Sequence, residues 1–202
     1  MDATARLRSL LAAPSTDAAE IADQLDRLPS HEAVAAARSL GGRRIQRSLW
    51  HCSAANDPIT VTDLLPAEYE PMKPVRFHGK NSLPAFTVFE KICCRPPKDR
   101  PGAVLWGYNE TRIRPLIGPG YFVVHDTKGN SFGGAAFDYT AVPEDHPGGW
   151  PDIRPNEQGL SRFIYNGTID YMRRVARDVF IGAATRAGNE MDSYFVLVRE
   201  PI

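Results

Sequence analysis

Apolar residues recur at a period near 3.6 in the first third of the chain and near 2 in the remainder, so the pattern predicts helices first and strands afterwards. Residues 17–28 place Ala18, Ile21, Ala22, Leu25 and Leu28 on one helical face, with Asp17 and Glu20 spaced as a capping box and Pro29 closing the segment. A second helix is expected from Ser30 through Ala33, Val34, Ala37 and Leu40 until Gly41-Gly42 breaks it, and a third from Arg43 to about Cys52. A short apolar stretch, Ile59 to Leu65, leads into Pro66, Pro71 and Pro74, which read as a connector.

Beyond Pro74 the runs Ala85–Cys94, Ala103–Thr111, Tyr121–Asp126, Gly133–Thr140, Gly167–Val175, Val179–Arg186 and Ser193–Arg199 are rich in β-branched and aromatic residues, with turn residues between them. Lys128-Gly129-Asn130 and Ala187-Gly188-Asn189 read as hairpin turns. No helix-length crossover separates most of these runs, so seven or eight antiparallel strands are expected, in a closed barrel or a sandwich rather than a parallel sheet, with the barrel preferred. The fold class predicted is mainly β with N-terminal helices (α+β): residues 1–70 form a helical segment packed on an antiparallel barrel of residues 71–202. Whether those helices plug the barrel or lie outside it is open at this level. The Pro- and Gly-rich stretch Pro143–Gly159 is the one long loop, a lid or an ornament.

Charge narrows the function. Twenty-four Lys and Arg balance 24 Asp and Glu, which argues against a general polyanion binder, and no nucleic-acid partner is expected. The basic cluster Arg38, Arg43, Arg44 and Arg47 reads as a solvated helix face. The first 30 residues hold no signal-like apolar run, and no stretch approaches the roughly 20 apolar residues that span a bilayer. Cys52, Cys93 and Cys94 are too few for a disulfide scaffold. A cytoplasmic protein without a membrane partner is expected, as monomer or homodimer, and Asn109-Glu-Thr and Asn166-Gly-Thr are then chance glycosylation matches.

Strand alternation identifies candidate chemistry. From Ala85, one face carries Phe86, Val88, Glu90 and Ile92 and the other Thr87, Phe89, Lys91 and Cys93. Should the first face point inward, Glu90 is an acid in an apolar wall; otherwise it is a solvent-facing Glu beside a Lys. Trp106 and Tyr108 share a face, as do Tyr121 and His125, and Phe137 and Tyr139. Rings with polar tips on successive strands suit a barrel that holds a greasy molecule and orients it, although small barrels also fill themselves with side chains. In the run from Tyr165 to Arg174, Ile169, Tyr171 and Arg173 oppose Asp170, Met172 and Arg174, so whichever face is buried carries an ionisable residue that needs a partner across strands. The five histidines make no ligand-spaced pair, so no metal is expected, and no cofactor fingerprint appears.

The run Phe163 to Val175, then Val179-Phe-Ile-Gly182, then Tyr194 to Arg199, resembles the closing strands of a bacterial lipocalin-like (calycin) family of unknown function known for a GXWXGR motif. Tyr165, Ile169, Asp170, Arg173, Gly182 and Tyr194–Leu197 carry the likeness, which spans residues 75–199; Arg76-Phe-His-Gly-Lys80 keeps the Gly and a basic residue of the opening motif but lacks its Trp. The resemblance implies a calycin-type barrel with an internal cavity, and no activity. Together these readings predict a barrel that binds a small, largely apolar molecule, with Trp106, Tyr108, Tyr121, Tyr139 and Tyr165 lining it and Arg173 or Asp170 holding a polar end. The alternative is a cofactor-independent isomerase or cyclase, such as a biosynthetic pericyclase, with Glu90, His78 and Asp170 as candidate acids and bases. An adaptor working through the N-terminal helices is a third possibility.

Overall fold

The computed structural model describes residues 3–13, 17–85, 87–99 and 104–202; the expected strand positions Phe86 and Ala103 lie outside these. Four helices come first: α1 (Ala3–Ala12), α2 (Ala18–Asp26), α3 (Ser30–Ser39) and α4 (Arg43–Cys52). Asp17 caps α2, its carboxylate accepting from the Ala19 N–H at 2.8 Å, and Gly42 precedes α4 at φ +93°, a conformation that suits glycine. A short helix, α5 (Val61–Leu64), follows, closed by a capping box between Thr60 and Asp63.

Eight strands then run in sequence order: β1 (Val75–Asn81), β2 (Val88–Cys94), β3 (Leu105–Glu110), β4 (Phe122–Asp126), β5 (Ala135–Asp138), β6 (Thr168–Arg174), β7 (Val179–Arg186) and β8 (Asn189–Arg199). Each pairs antiparallel with the next, and β8 returns to β1 with His78 opposite Val198, so the sheet is a closed barrel. Closure leaves no strand edge unpaired. Both expected hairpin turns are present: Ala187 and Gly188 have positive φ and join Arg186 to Asn189, and Gly129 turns the chain between β4 and β5. Two further short helices, α6 (Arg114–Ile117) and α7 (Ser161–Ile164), sit in the β3–β4 and β5–β6 connections.

The inner face carries Phe77, Cys93, Leu105, Phe122, Val124, Phe137, Met172, Phe180, Phe195 and Leu197, packed as one cluster. Three strand glycines make this possible. Gly79, Gly107 and Gly182 stand opposite Phe89, Phe122 and Phe195 on the neighbouring strand, and each ring lies over its glycine, so that a Cβ there would meet the ring at 2.6, 2.5 and 2.1 Å. At one end, here the lower, Ile59, Val61, Leu64 and Leu65 insert into the same cluster, so α5 plugs the barrel. Arg199 donates to the carbonyls of Asp63 and Leu64 at 3.1 and 2.9 Å, and Arg95 holds those of Leu65 and Pro66. The apolar stretch before the prolines is therefore a plug rather than a mere connector.

Helices α1 to α4 pack outside. Leu7, Leu11, Ile21, Leu25, Leu49 and Trp50 cover Val179, Ile181, Tyr194, Val196 and Val198 on the outer face of β7 and β8. Both strands are thus buried on two faces, which explains why Val179–Ala184 shows no clean alternation. The long loop packs against the outer wall instead of ornamenting it: Trp150 and Ile153 cover Ile92, Tyr108 and Tyr121.

Candidate functional site

Inside the wall sits a polar cluster that apolar patterning alone would not predict. Lys91 on β2 donates to Asp170 Oδ2 on β6 and to Asn109 Oδ1 on β3, each at 3.2 Å, and also contacts the Tyr139 hydroxyl. Asn109 is opposite Lys91 in the strand register, and its amide donates to the Gly120 carbonyl at 3.0 Å and to Tyr139 at 3.1 Å. The ammonium also faces aromatic rings, with the centroids of Phe137, Phe122, Tyr139 and Phe195 at 4.7, 4.8, 4.9 and 5.0 Å, so ring quadrupoles supplement the single carboxylate.

Burial dominates the electrostatics. Loss of water pushes the Lys91 ammonium below its ordinary value while Asp170 pulls it back up; the same loss raises the Asp170 carboxyl against the opposing pull of Lys91 and Tyr139. Burial thus shifts the proton affinity of each group toward that of the other. Desolvation also holds the Tyr139 and Tyr165 phenols firmly protonated. The arrangement offers a cation, a carboxylate and phenolic donors in a desolvated setting, and such perturbed groups make it a functional-site candidate.

Access to this cluster is uneven. Phe77, Leu105, Phe122, Phe137, Met172 and Phe180 are fully buried, and the expectation of a hollow lined by rings is corrected there: the rings themselves fill the barrel. Around the cluster a little accessible surface survives, 6% at Asp170, 8% at Tyr165 and 9% at Ala184, the small residue opposite Asp170 on β7. Tyr165, just after α7, stacks on Tyr139 with centroids 5.3 Å apart and also lies over Gly120, whose φ of +55° and close approach to the ring exclude a Cβ. These residues belong to the upper end, opposite α5. The rim at that end exposes Leu83, Val88, Leu116, Phe163, Ile164 and Met191.

Of the residues expected at a site, Asp170, Tyr139 and Tyr165 come together here. The others do not. Glu90 faces outward, opposite His78 on β1, because Phe89, Lys91 and Cys93 take the inner face of β2. There Glu90 pairs with Arg76, with Arg38 at 3.8 Å and with His78 Nδ1 at 3.2 Å, while His78 Nε2 reaches Glu200 at 2.9 Å. Trp106 and Tyr108 are also outside, since Leu105, Gly107 and Asn109 hold the inner face of β3; Tyr121, outside with them, donates its hydroxyl to the Pro151 carbonyl at 2.5 Å. Arg173 lies on the outer face as well. It donates to the carbonyls of Phe132, Trp50 and Ser131 and stacks on Trp50 at 3.9 Å, tying α4 to the β4–β5 turn.

Lys91 and Asn109 were not singled out from sequence. The available signal was Asp170 itself: an inward carboxylate needs a cation across the barrel, and Lys91 shares its strand face with Phe89 and Cys93. Among the described residues no His, Cys, Asp and Glu group is arranged to hold a metal ion, and no helix is long and apolar enough to cross a membrane.

The fold and site define a closed, eight-stranded antiparallel barrel with an ion pair set among aromatic rings, compatible with a lipocalin-like architecture. No family model, curated protein or solved structure matches the chain.

Proposed function

We propose that the barrel binds a small, largely apolar molecule at its upper end, with the polar end of that molecule at Asp170, Lys91 and Tyr139. The observation that carries this reading is the buried ion pair. Two charges withdrawn from water seldom stabilise a fold better than apolar residues of the same volume would, so their presence calls for a role beyond stability. The remaining accessible surface at Asp170, Tyr165 and Ala184 supports entry from that end, and the aromatic surroundings suit an apolar body with one polar group. Membership of the lipocalin-like family belongs to the same proposal; in its support, Asp170 and Gly182 of the resembling run face the interior.

The test is a thermal-shift and native mass-spectrometry panel of apolar alcohols, acids, ketones and aromatics against the full chain and an Ala184→Leu variant. The reading requires at least one compound that raises the wild-type melting temperature, with the response lost when the leucine fills the space facing Asp170. A panel without a binder, or binding unchanged in Ala184→Leu, overturns it.

Asp170 beside Lys91 and Tyr139 also favours a second reading, the cofactor-independent isomerase or cyclase. A buried carboxylate beside an ammonium can serve as acid or base to a substrate held in a reactive shape. Glu90 and His78 have no part in this version, because the barrel wall separates them from the interior. Turnover of a bound compound, lost in Asp170→Asn but retained in Glu90→Gln, would separate catalyst from carrier.

A further inference from the structure

Lysine is scarce in this chain. Five lysines stand against nineteen arginines, and Lys73, Lys98 and Lys128 are exposed. Lys91 alone is placed in the aromatic interior, at 1% exposure. Arginine would supply the same charge with more hydrogen bonds; what only lysine adds is an amine that becomes nucleophilic when it loses a proton. Asp170 is placed to take that proton, at 3.2 Å.

We propose that Lys91 takes up an apolar aldehyde or ketone as an imine, with Asp170 as proton carrier and counter-ion and the hydrocarbon tail directed past Tyr165 toward the exposed rim of α6 and α7. This deepens the binding reading above and rests on it. Asp170 accepts a proton from the ammonium, and the amine lone pair adds to the carbonyl carbon. The carboxylic acid returns its proton to the oxygen, giving a carbinolamine. A second proton leaves the nitrogen and reaches the hydroxyl through Asp170, water departs, and the C=N bond forms as a protonated imine. One ammonium and one carbonyl compound thus become one iminium and one water, with no redox change.

The site suits this product. The iminium keeps the positive charge of the ammonium, so Asp170 and the rings of Phe122, Phe137 and Phe195 continue to balance it without any new buried charge. Asn109 and Tyr139, already hydrogen-bonded to Nζ, are placed beside the departing oxygen. For the tail, Leu116 on α6 and Phe163 and Ile164 on α7 present apolar surface at the end of the barrel where Tyr165 closes the interior.

The experiment incubates the folded full chain with decanal and sodium cyanoborohydride, digests it, and maps the reduced adduct by mass spectrometry; decanol serves as a carbonyl-free control for binding. The expected result is modification of the Lys91 peptide in preference to the exposed Lys98 and Lys128, lost in Lys91→Met and slowed in Asp170→Asn. In Lys91→Arg the adduct at this position should disappear. Decanol binding with Lys91 left unmodified by decanal overturns the imine and leaves the binding reading intact. If neither compound binds, both fall. Equal labelling of all lysines, or labelling of Lys91 only after denaturation, also overturns the proposal.

Discussion

Replacing Asp170 by asparagine tests the central geometry most directly. The change keeps the volume and removes the one carboxylate that, among the described residues, lies within ion-pair distance of Lys91, leaving an ammonium surrounded by rings and neutral oxygens. Breaking one half of a buried ion pair costs about 3–5 kcal/mol, whereas replacing both halves by apolar residues of similar size is about neutral or stabilising. Asp170→Asn and Lys91→Met should each destabilise strongly, and Lys91→Met with Asp170→Leu should recover most of the loss. The effect depends on pH. Burial already lowers the affinity of Lys91 for its proton, and removing the counter-ion lowers it further. Between that lowered value and the ordinary lysine value of 10.5 the unfolded chain holds more protons than the folded chain, so the stability of Asp170→Asn rises with pH across that window. Urea unfolding followed by circular dichroism, on the wild type, both single variants and the double variant at several pH values, measures all of this as a double-mutant cycle. Single losses below about 1 kcal/mol with additive behaviour would refute the reasoning, since surface pairs behave that way and buried ones do not.

Three further outcomes follow from the packing. Gly182→Ala places a Cβ 2.1 Å from the Phe195 ring and should cost about 1–3 kcal/mol in denaturant unfolding, with an altered near-ultraviolet aromatic signal. Asp63→Ala removes the capping box of α5 and its contact with Arg174, so a loss of about 1–2 kcal/mol is expected, read as a lower urea midpoint. Burial pushes the Cys52 thiol up to about 11 and the Cys94 thiol up to about 12, and raises Cys93 further, so Ellman's reagent near pH 8 should react slowly with all three until the chain unfolds.

The fold was readable where a single constraint acts on a segment. The amphipathic helices, both hairpin turns and the antiparallel order follow from local periodicity and glycine placement. Face assignment was harder. On β2, Val88, Glu90 and Ile92 look as apolar as Phe89, Lys91 and Cys93, and the choice depends on register with β1, a long-range property. On β3 the large rings Trp106 and Tyr108 point outward, Tyr108 beneath Trp150 and Ile153 of the long loop, while the smaller Leu105, Gly107 and Asn109 point inward to make room for Phe122. Size therefore misleads: in this barrel glycines mark the inner face, since each admits a ring from the next strand. Asp170 was legible as a residue needing a partner, but the identity of that partner required the barrel to be closed.

The two ends of the barrel are closed differently. At the lower end, α5 fills the core and Arg95 and Arg199 hold its backbone carbonyls, while Arg174 holds the Asp63 carboxylate, so opening there would break several charged hydrogen bonds together. At the upper end, the Tyr165–Tyr139 stack and two four-residue helices, too short to be stable without their tertiary contacts, close the barrel, with Arg186 donating to the Phe163 and Ile164 carbonyls at 3.2 and 3.0 Å. The ion pair lies beneath this upper end. A ligand that displaced Tyr165 would lose one stacking contact and gain a carboxylate, an ammonium and a phenol, whereas entry from below would have to dismantle the plug before meeting any polar group. Gly120→Ala, which forces Tyr165 off its seat, should therefore speed the uptake of any ligand of the wild-type protein, while loosening the plug through Asp63→Ala should leave the uptake rate unchanged.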